Sequence, residues 1–130
     1  MVTRGAHHFS ICVGDIDRAR AFYGDLLGLS ETERPDFGFP GAWYDAGPVQ
    51  LHLIVPPDTV DVGTRAEKLT PIAGHIAFEV ESYEDTRAAL EAAGHEVLGL
   101  GAEVGQLFVR DPDDNLVELI QPGGQLGRRS

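Results

Sequence analysis

Apolar and polar or small residues alternate along residues 8–13, His-Phe-Ser-Ile-Cys-Val, and the rhythm returns over residues 75–80, His-Ile-Ala-Phe-Glu-Val. A period of two predicts strands with one packed face and one free face. Behind each strand the period becomes helical. Ala19, Phe22, Tyr23, Leu26 and Leu27 follow Asp15 and Asp17, either of which can cap an N-terminus. Tyr83, Thr86, Leu90 and Ala93 follow Ser82, with Asp85 as the partner in a shortened capping box. Gly28 and Gly94 supply the two stops. Short strand-like runs come next. In the first half they are Gly41–Tyr44 and Val49–Val55, around the turn Asp45-Ala46-Gly47-Pro48. In the second they are His95–Leu100, Gly105–Arg110 and Leu116–Gln121, with Asp111-Pro112-Asp113-Asp114-Asn115 as a tight turn.

The second half thus writes βαβββ. The first, with two strand-like runs after its helix, is read as a copy of the same unit, so the organisation is βαβββ twice, an α+β pattern. Two such modules are expected to form an open, cavity-enclosing mixed β-sheet with helices on its outer face. Module 1 spans about 6–55, a polar, proline-containing linker 56–71, module 2 about 72–122, and a glycine-rich tail 123–130 is expected to fray. A module of roughly 60 residues is marginal alone, so the two are expected to pack together, within one chain or across two.

Alternation also sorts the chemistry. Phe9, Ile11 and Val13 share the face suited to the helix, which leaves His8, Ser10 and Cys12 opposite. Ile76, Phe78 and Val80 leave His75, Ala77 and Glu79; Val49, Leu51 and Leu53 leave Gln50, His52 and Ile54; Val117 and Leu119 leave Leu116, Glu118 and Ile120. Each of four equivalent strands thus carries one metal-competent residue away from its helix: His8, His52, His75 and Glu118. Any one of them alone reads more readily as an ordinary strand residue; four at matching places in two repeats point to a ligand set. Three imidazoles and a carboxylate suit one borderline divalent ion per site, Zn, Ni, Co, Fe(II) or Mn, and four protein ligands leave positions open for substrate. Ser10, Cys12, Gln50, Glu79, Trp43 and Phe39 are candidate pocket residues, with Phe37 and Tyr44 in the same aromatic cluster. His7 and His95 read as a strand-start and a loop residue.

Composition narrows the partners. The 130 residues carry 10 Lys and Arg against 21 Asp and Glu, a net charge of −11, and Lys68 is the only lysine. Such a surface repels phosphate backbones and anionic lipid, so nucleic acid and membranes are poor partners. The only strongly basic spot is Arg128-Arg129 in the tail. One cysteine, Cys12, excludes an internal disulfide and a thiolate zinc cage. No apolar run approaches a membrane span, and the N-terminus lacks a signal-peptide core, which is the expectation for a cytoplasmic protein.

The opening His-His-Phe-Ser-Ile-Cys-Val-Gly-Asp-Ile-Asp-Arg-Ala-Arg-Ala-Phe-Tyr-Gly-Asp-Leu-Leu-Gly-Leu, the central Gly-His-Ile-Ala-Phe-Glu-Val and the closing Asp-Pro-Asp-Asp-Asn-Leu-Val-Glu-Leu resemble the vicinal oxygen chelate superfamily. That group includes glyoxalase I, fosfomycin-resistance thiol transferases, extradiol dioxygenases and bleomycin-resistance proteins. The resemblance runs from about Ala6 to Pro122, and Thr32-Glu33-Arg34-Pro35 with Phe39-Pro40-Gly41-Ala42-Trp43 and Leu51-His52-Leu53 resembles a glyoxalase-like branch. The family's ligand positions fall on His8, His52, His75 and Glu118. Glyoxalase I normally has Glu at the second position. His52 there departs from the pattern and counts against hemithioacetal isomerisation, because a bound imidazole is a poor mobile base.

The resemblance implies a metal-dependent lyase, isomerase or thiol transferase acting on a small substrate such as a thiol adduct. The ion would chelate two substrate oxygens and stabilise an enolate or alkoxide, with Glu118 or a water handling the proton. An Fe(II) ring-cleaving dioxygenase and a metal-free drug or metabolite binder are the alternatives. Related folds pair modules between subunits, which implies a homodimer.

Overall fold

In the computed structural model, residues 2–123 are described; Arg128, Arg129 and nearly all of the predicted tail lie outside them. The chain divides between Gly63 and Thr64 into two compact units. Each is a βαβββ module, and their strands form two four-stranded mixed sheets.

The first unit runs β1 (His8–Cys12), α1 (Ile16–Arg20), β2 (Ser30–Thr32), β3 (Gly41–Ala46) and β4 (Val49–Ile54). Asp15 caps α1, its Oδ1 accepting from the Arg18 backbone N–H at 3.0 Å. The helix continues as a π-helical segment over Ala21–Leu26, closed by Leu27 N–H donating to Phe22 O at 2.9 Å. Gly24 faces the ring of Tyr44 there: a Cβ at position 24 would sit 3.3 Å from the Tyr44 hydroxyl. The sheet order is β1-β4-β3-β2, with β1 and β4 parallel and the other pairs antiparallel. The hairpin loop between β3 and β4 is only Gly47-Pro48, shorter than the run of turn residues predicts. Gly47, at φ 67°, supplies the left-handed backbone that so tight a reversal needs.

Strand alternation builds this unit's core. Ala42, Tyr44, Leu51 and Leu53 are buried on one face, together with Ala19, Phe22 and Tyr23 from the helical segment. Each fully buried leucine contributes about 1.5–3 kcal/mol of transfer free energy. Phe9, expected on this packed face, is 45% exposed. It lies on the edge strand, whereas α1 packs over β3 and β4.

The second unit repeats the plan with β5 (Ile76–Glu79), α2 (Tyr83–Ala92), β6 (Leu98–Gly99), β7 (Gln106–Arg110) and β8 (Leu116–Ile120), in the order β5-β8-β7-β6. Ser82 caps α2 by accepting from the Asp85 backbone N–H at 3.1 Å, and Gly94, at φ 89°, ends it. The run expected as a strand over residues 95–100 pairs only at Leu98 and Gly99. The core is Leu90, Leu107, Val109, Val117 and Leu119. The predicted turn forms around buried Asp111: its Oδ1 accepts from Asp113 and Asn115 backbone N–H groups and its Oδ2 from the Asn115 carboxamide. Part of the predicted linker docks here, since Arg65 donates to the Asn115 side chain at 2.7 Å and Arg110 to the carbonyls of Ala66 and Glu67.

Candidate metal centre

Register decides which side chains meet. In the first unit His8 pairs with Gln50, Ser10 with His52, and Trp43 with His52 across the next ladder. His8, Ser10, Cys12, Gln50, His52 and Trp43 therefore share the sheet face opposite the helix. His8 and His52 are diagonal neighbours, and their rings stack at 4.0 Å with planes 16° apart. Trp43 covers the other face of His52 at 4.2 Å and 6°. His52 Nε2–H donates to Gln50 Oε1 at 2.9 Å, which leaves the lone pair at Nδ1. The side chain is 7% exposed. Burial, then the neighbouring His8, His7 and Arg34, hold its pKa below the ordinary imidazole value. His7, exposed at the strand start, is hydrogen-bonded to His8 through Nδ1 atoms 2.8 Å apart.

The second unit holds the other two residues. His75 lies one position before β5, and its Nδ1–H donates to the Ala73 carbonyl at 2.6 Å. That bond directs Nε2 at Glu118 Oε1, 2.9 Å away. Glu118, at the centre of β8, is 5% exposed, and its Oε2 accepts from the Gln106 carboxamide at 3.2 Å. Phe108, fully buried, meets the His75 ring edge-on at 5.3 Å.

With Nδ1 committed as a donor, a neutral His75 turns a lone pair toward a carboxylate oxygen, which is a second acceptor. A proton or a cation between them resolves the contact. Two ligands, each about 2.1 Å from one ion and at right angles, lie about 3 Å apart, so the pair has the bite of a chelate. The backbone bond at Nδ1 and the Gln106 bond at Oε2 fix the orientation of the two side chains, as outer contacts do where such groups ligate a metal. The donor types of this pair, one imidazole nitrogen and one carboxylate oxygen, are those a divalent ion takes.

Each unit thus brings together one predicted pair, His8 with His52 and His75 with Glu118. Among the described residues, no three His, Cys, Asp or Glu side chains are grouped to hold an ion. Ser10 and Glu79 are exposed, Gln50 and Cys12 are partly buried, and Phe39 is 39% exposed beside Phe37. Gln106, Phe108 and Arg34 were not predicted to take part. The first two are visible in hindsight: residues 106, 108 and 110 alternate onto the face of Glu118.

Two βαβββ units, each presenting imidazole or carboxylate donors on the face away from its helix, define a duplicated α+β class. The chain belongs to the Glyoxalase/Bleomycin resistance protein/Dioxygenase superfamily, whose family model matches residues 5–119. It is 30% identical over 124 residues to lactoylglutathione lyase of Haemophilus influenzae, covering 88% of this chain and 90% of that one. It is 29% identical over 119 residues to Glyoxylase I 4 of Arabidopsis thaliana, covering 87% and 68%. Among solved structures, a glyoxalase family protein from Bacillus anthracis shares the fold at a TM-score of 0.74 and 24% identity, covering 93% and 97%. The fosfomycin resistance protein FosX of Listeria monocytogenes does so at 0.73 and 18%, covering 98% and 100%.

Proposed function

We propose that this protein is a divalent-metal-dependent glyoxalase-like enzyme, a lyase, isomerase or thiol transferase acting on a small substrate with two adjacent oxygens. The observation that carries the reading is the His75–Glu118 pair, 2.9 Å apart with its outer nitrogen and oxygen already held. Kinship with lactoylglutathione lyases supports the reaction class, and FosX has been solved with Mn(II). His8, His52, His75 and Glu118 are the proposed metal ligands, for Zn, Ni, Co, Fe(II) or Mn. Bound there, the ion would supply a Lewis acid for oxygens that gain charge in the reaction.

The chain's own residues have distinct tasks in this scheme. Glu118 takes or returns a proton at a carboxylate oxygen, its carboxylate held in place by Gln106 at Oε2 and by His75 at Oε1. His75 is kept in one tautomer by Ala73. Trp43 and His8 confine the His52 ring between two flat surfaces, so it cannot swing as a flexible carboxylate would. Proton transfer therefore falls to Glu118 or a water. The working form is proposed to be a cytoplasmic homodimer.

Metal analysis of protein purified without added ion tests the reading. Near-stoichiometric metal, lost together with turnover of thiol adducts in H75A, is the expected result. Metal-free protein that gains no activity with any of the five ions overturns it. Sedimentation at micromolar concentration tests the dimer, which a monomer would exclude.

A further inference from the structure

A groove of about 860 Å³ runs beside β2 in the first unit. Thr32, Gly41 and Trp43 line it from the sheet face that carries His8 and His52, and the loop after β2 supplies Glu33, Arg34 and Asp36. Arg34 is held in an unusual way. Its Cζ lies 5.1 Å from the Phe37 ring centroid and 5.0 Å from that of Phe39, and its Nη2 donates to the Phe39 carbonyl at 3.1 Å. The guanidinium lies against Gly41, where a Cβ would come within 2.8 Å of both Cζ and Nε.

Among the described residues no carboxylate pairs with Arg34, whereas Arg20 of the same groove is taken by Glu31 and Asp17. In a chain of net charge −11, an oriented guanidinium with spare N–H donors is left for another acceptor. The rings beside it are exposed, Phe37 by 51% and Phe39 by 39%. They continue inward: Phe37 lies 6.0 Å from Trp43, and Trp43 stacks on His52. A flat apolar ligand would cover these faces and recover both burial and ring-stacking energy. Charge limits its polar part. With Glu31 neutralised by Arg20, Glu33 and Asp36 line the groove along with Arg34. An anion is therefore disfavoured in proportion to its charge, and the polar part is limited to one acceptor, neutral or singly charged, placed on the Arg34 N–H groups.

We propose that this groove is a recognition subsite for an arene bearing one oxygen acceptor, a monocarboxylate or a carbonyl. Arg34 makes the polar contact and Trp43 the stacking face. The assignment of that ligand as the unreacting arm of the substrate rests on the proposed function; the binding site itself does not.

Calorimetric titration of metal-stripped protein with 2-naphthoate, an arene whose one carboxylate is its only polar group, tests the subsite. Saturable one-site binding is expected, at least tenfold weaker in R34Q and in F37L and unchanged in H75A. Naphthalene and inorganic phosphate should each bind at least tenfold more weakly than naphthoate. No saturation at millimolar naphthoate, or wild-type binding in both R34Q and F37L, overturns the proposal. Protein that takes up no metal yet binds naphthoate through Arg34 would refute the enzyme reading and uphold the subsite.

Discussion

Replacing Glu118 by Gln separates a metal ligand from a structural ion-pair partner, because the two roles predict opposite outcomes. The side chain is 5% exposed. It contacts His75 Nε2 at 2.9 Å and accepts from Gln106 at 3.2 Å. A glutamine of the same shape can still accept from Gln106 and can donate to the His75 lone pair, while the cost of burying a charge disappears. Metal-free E118Q should therefore be as stable as the wild type or up to about 1 kcal/mol more stable.

Metal binding should respond in the other direction. An ion at one hundred times its Kd stabilises the wild type by about 2.7 kcal/mol. For a domain of this size that raises Tm by about 10 °C. Losing the charged ligand should weaken binding at least as much as losing an outer contact, which costs up to about 100-fold. At the same ion concentration the gain then falls to about 0.4 kcal/mol, under about 2 °C. Differential scanning fluorimetry with and without each ion reads both effects. If E118Q keeps the full metal-induced rise, or loses several kcal/mol without metal, Glu118 is not a ligand and the reasoning fails.

The other expectations concern single contacts. Q106L removes the donor to Glu118 Oε2 and should lower divalent-ion affinity 10- to 100-fold by calorimetry, with Q106N restoring part of it. His52 has a depressed pKa, so the unfolded chain takes up its proton first as pH falls. Its contribution to stability is complete above about pH 6.5 and is lost on acidification toward the folded pKa. Urea midpoints of metal-free protein between pH 7.5 and 5 should fall more steeply for the wild type than for H52Q; parallel slopes would contradict this. Tyr44, pushed up to about 12 by burial and by Glu31, should contribute a late phase to a 295 nm absorbance titration, and Y44F should remove that contribution.

Period and punctuation made the doubled βαβββ plan legible, because a half-buried strand and an amphipathic helix must repeat at two and 3.6 residues. Asp15, Ser82, Gly28 and Gly94 marked the helix ends as capping chemistry requires. The strand over Ser30–Thr32 has no signal in the sequence, since three mostly polar residues on an edge carry no period. The failure of residues 95–97 to pair had no local sign either. For the site, alternation alone placed His8, His52, His75 and Glu118 on the faces opposite the helices. Only tertiary structure decided what those faces do. Parallel β1–β4 and β5–β8 pairings set which donors meet, and side-chain packing chose Trp43 for the His52 ring, Gln106 for the Glu118 oxygen and two phenylalanines for Arg34. A strand's face is a property of its own period, whereas its neighbours come from segments far along the chain, and no local pattern encodes that registration.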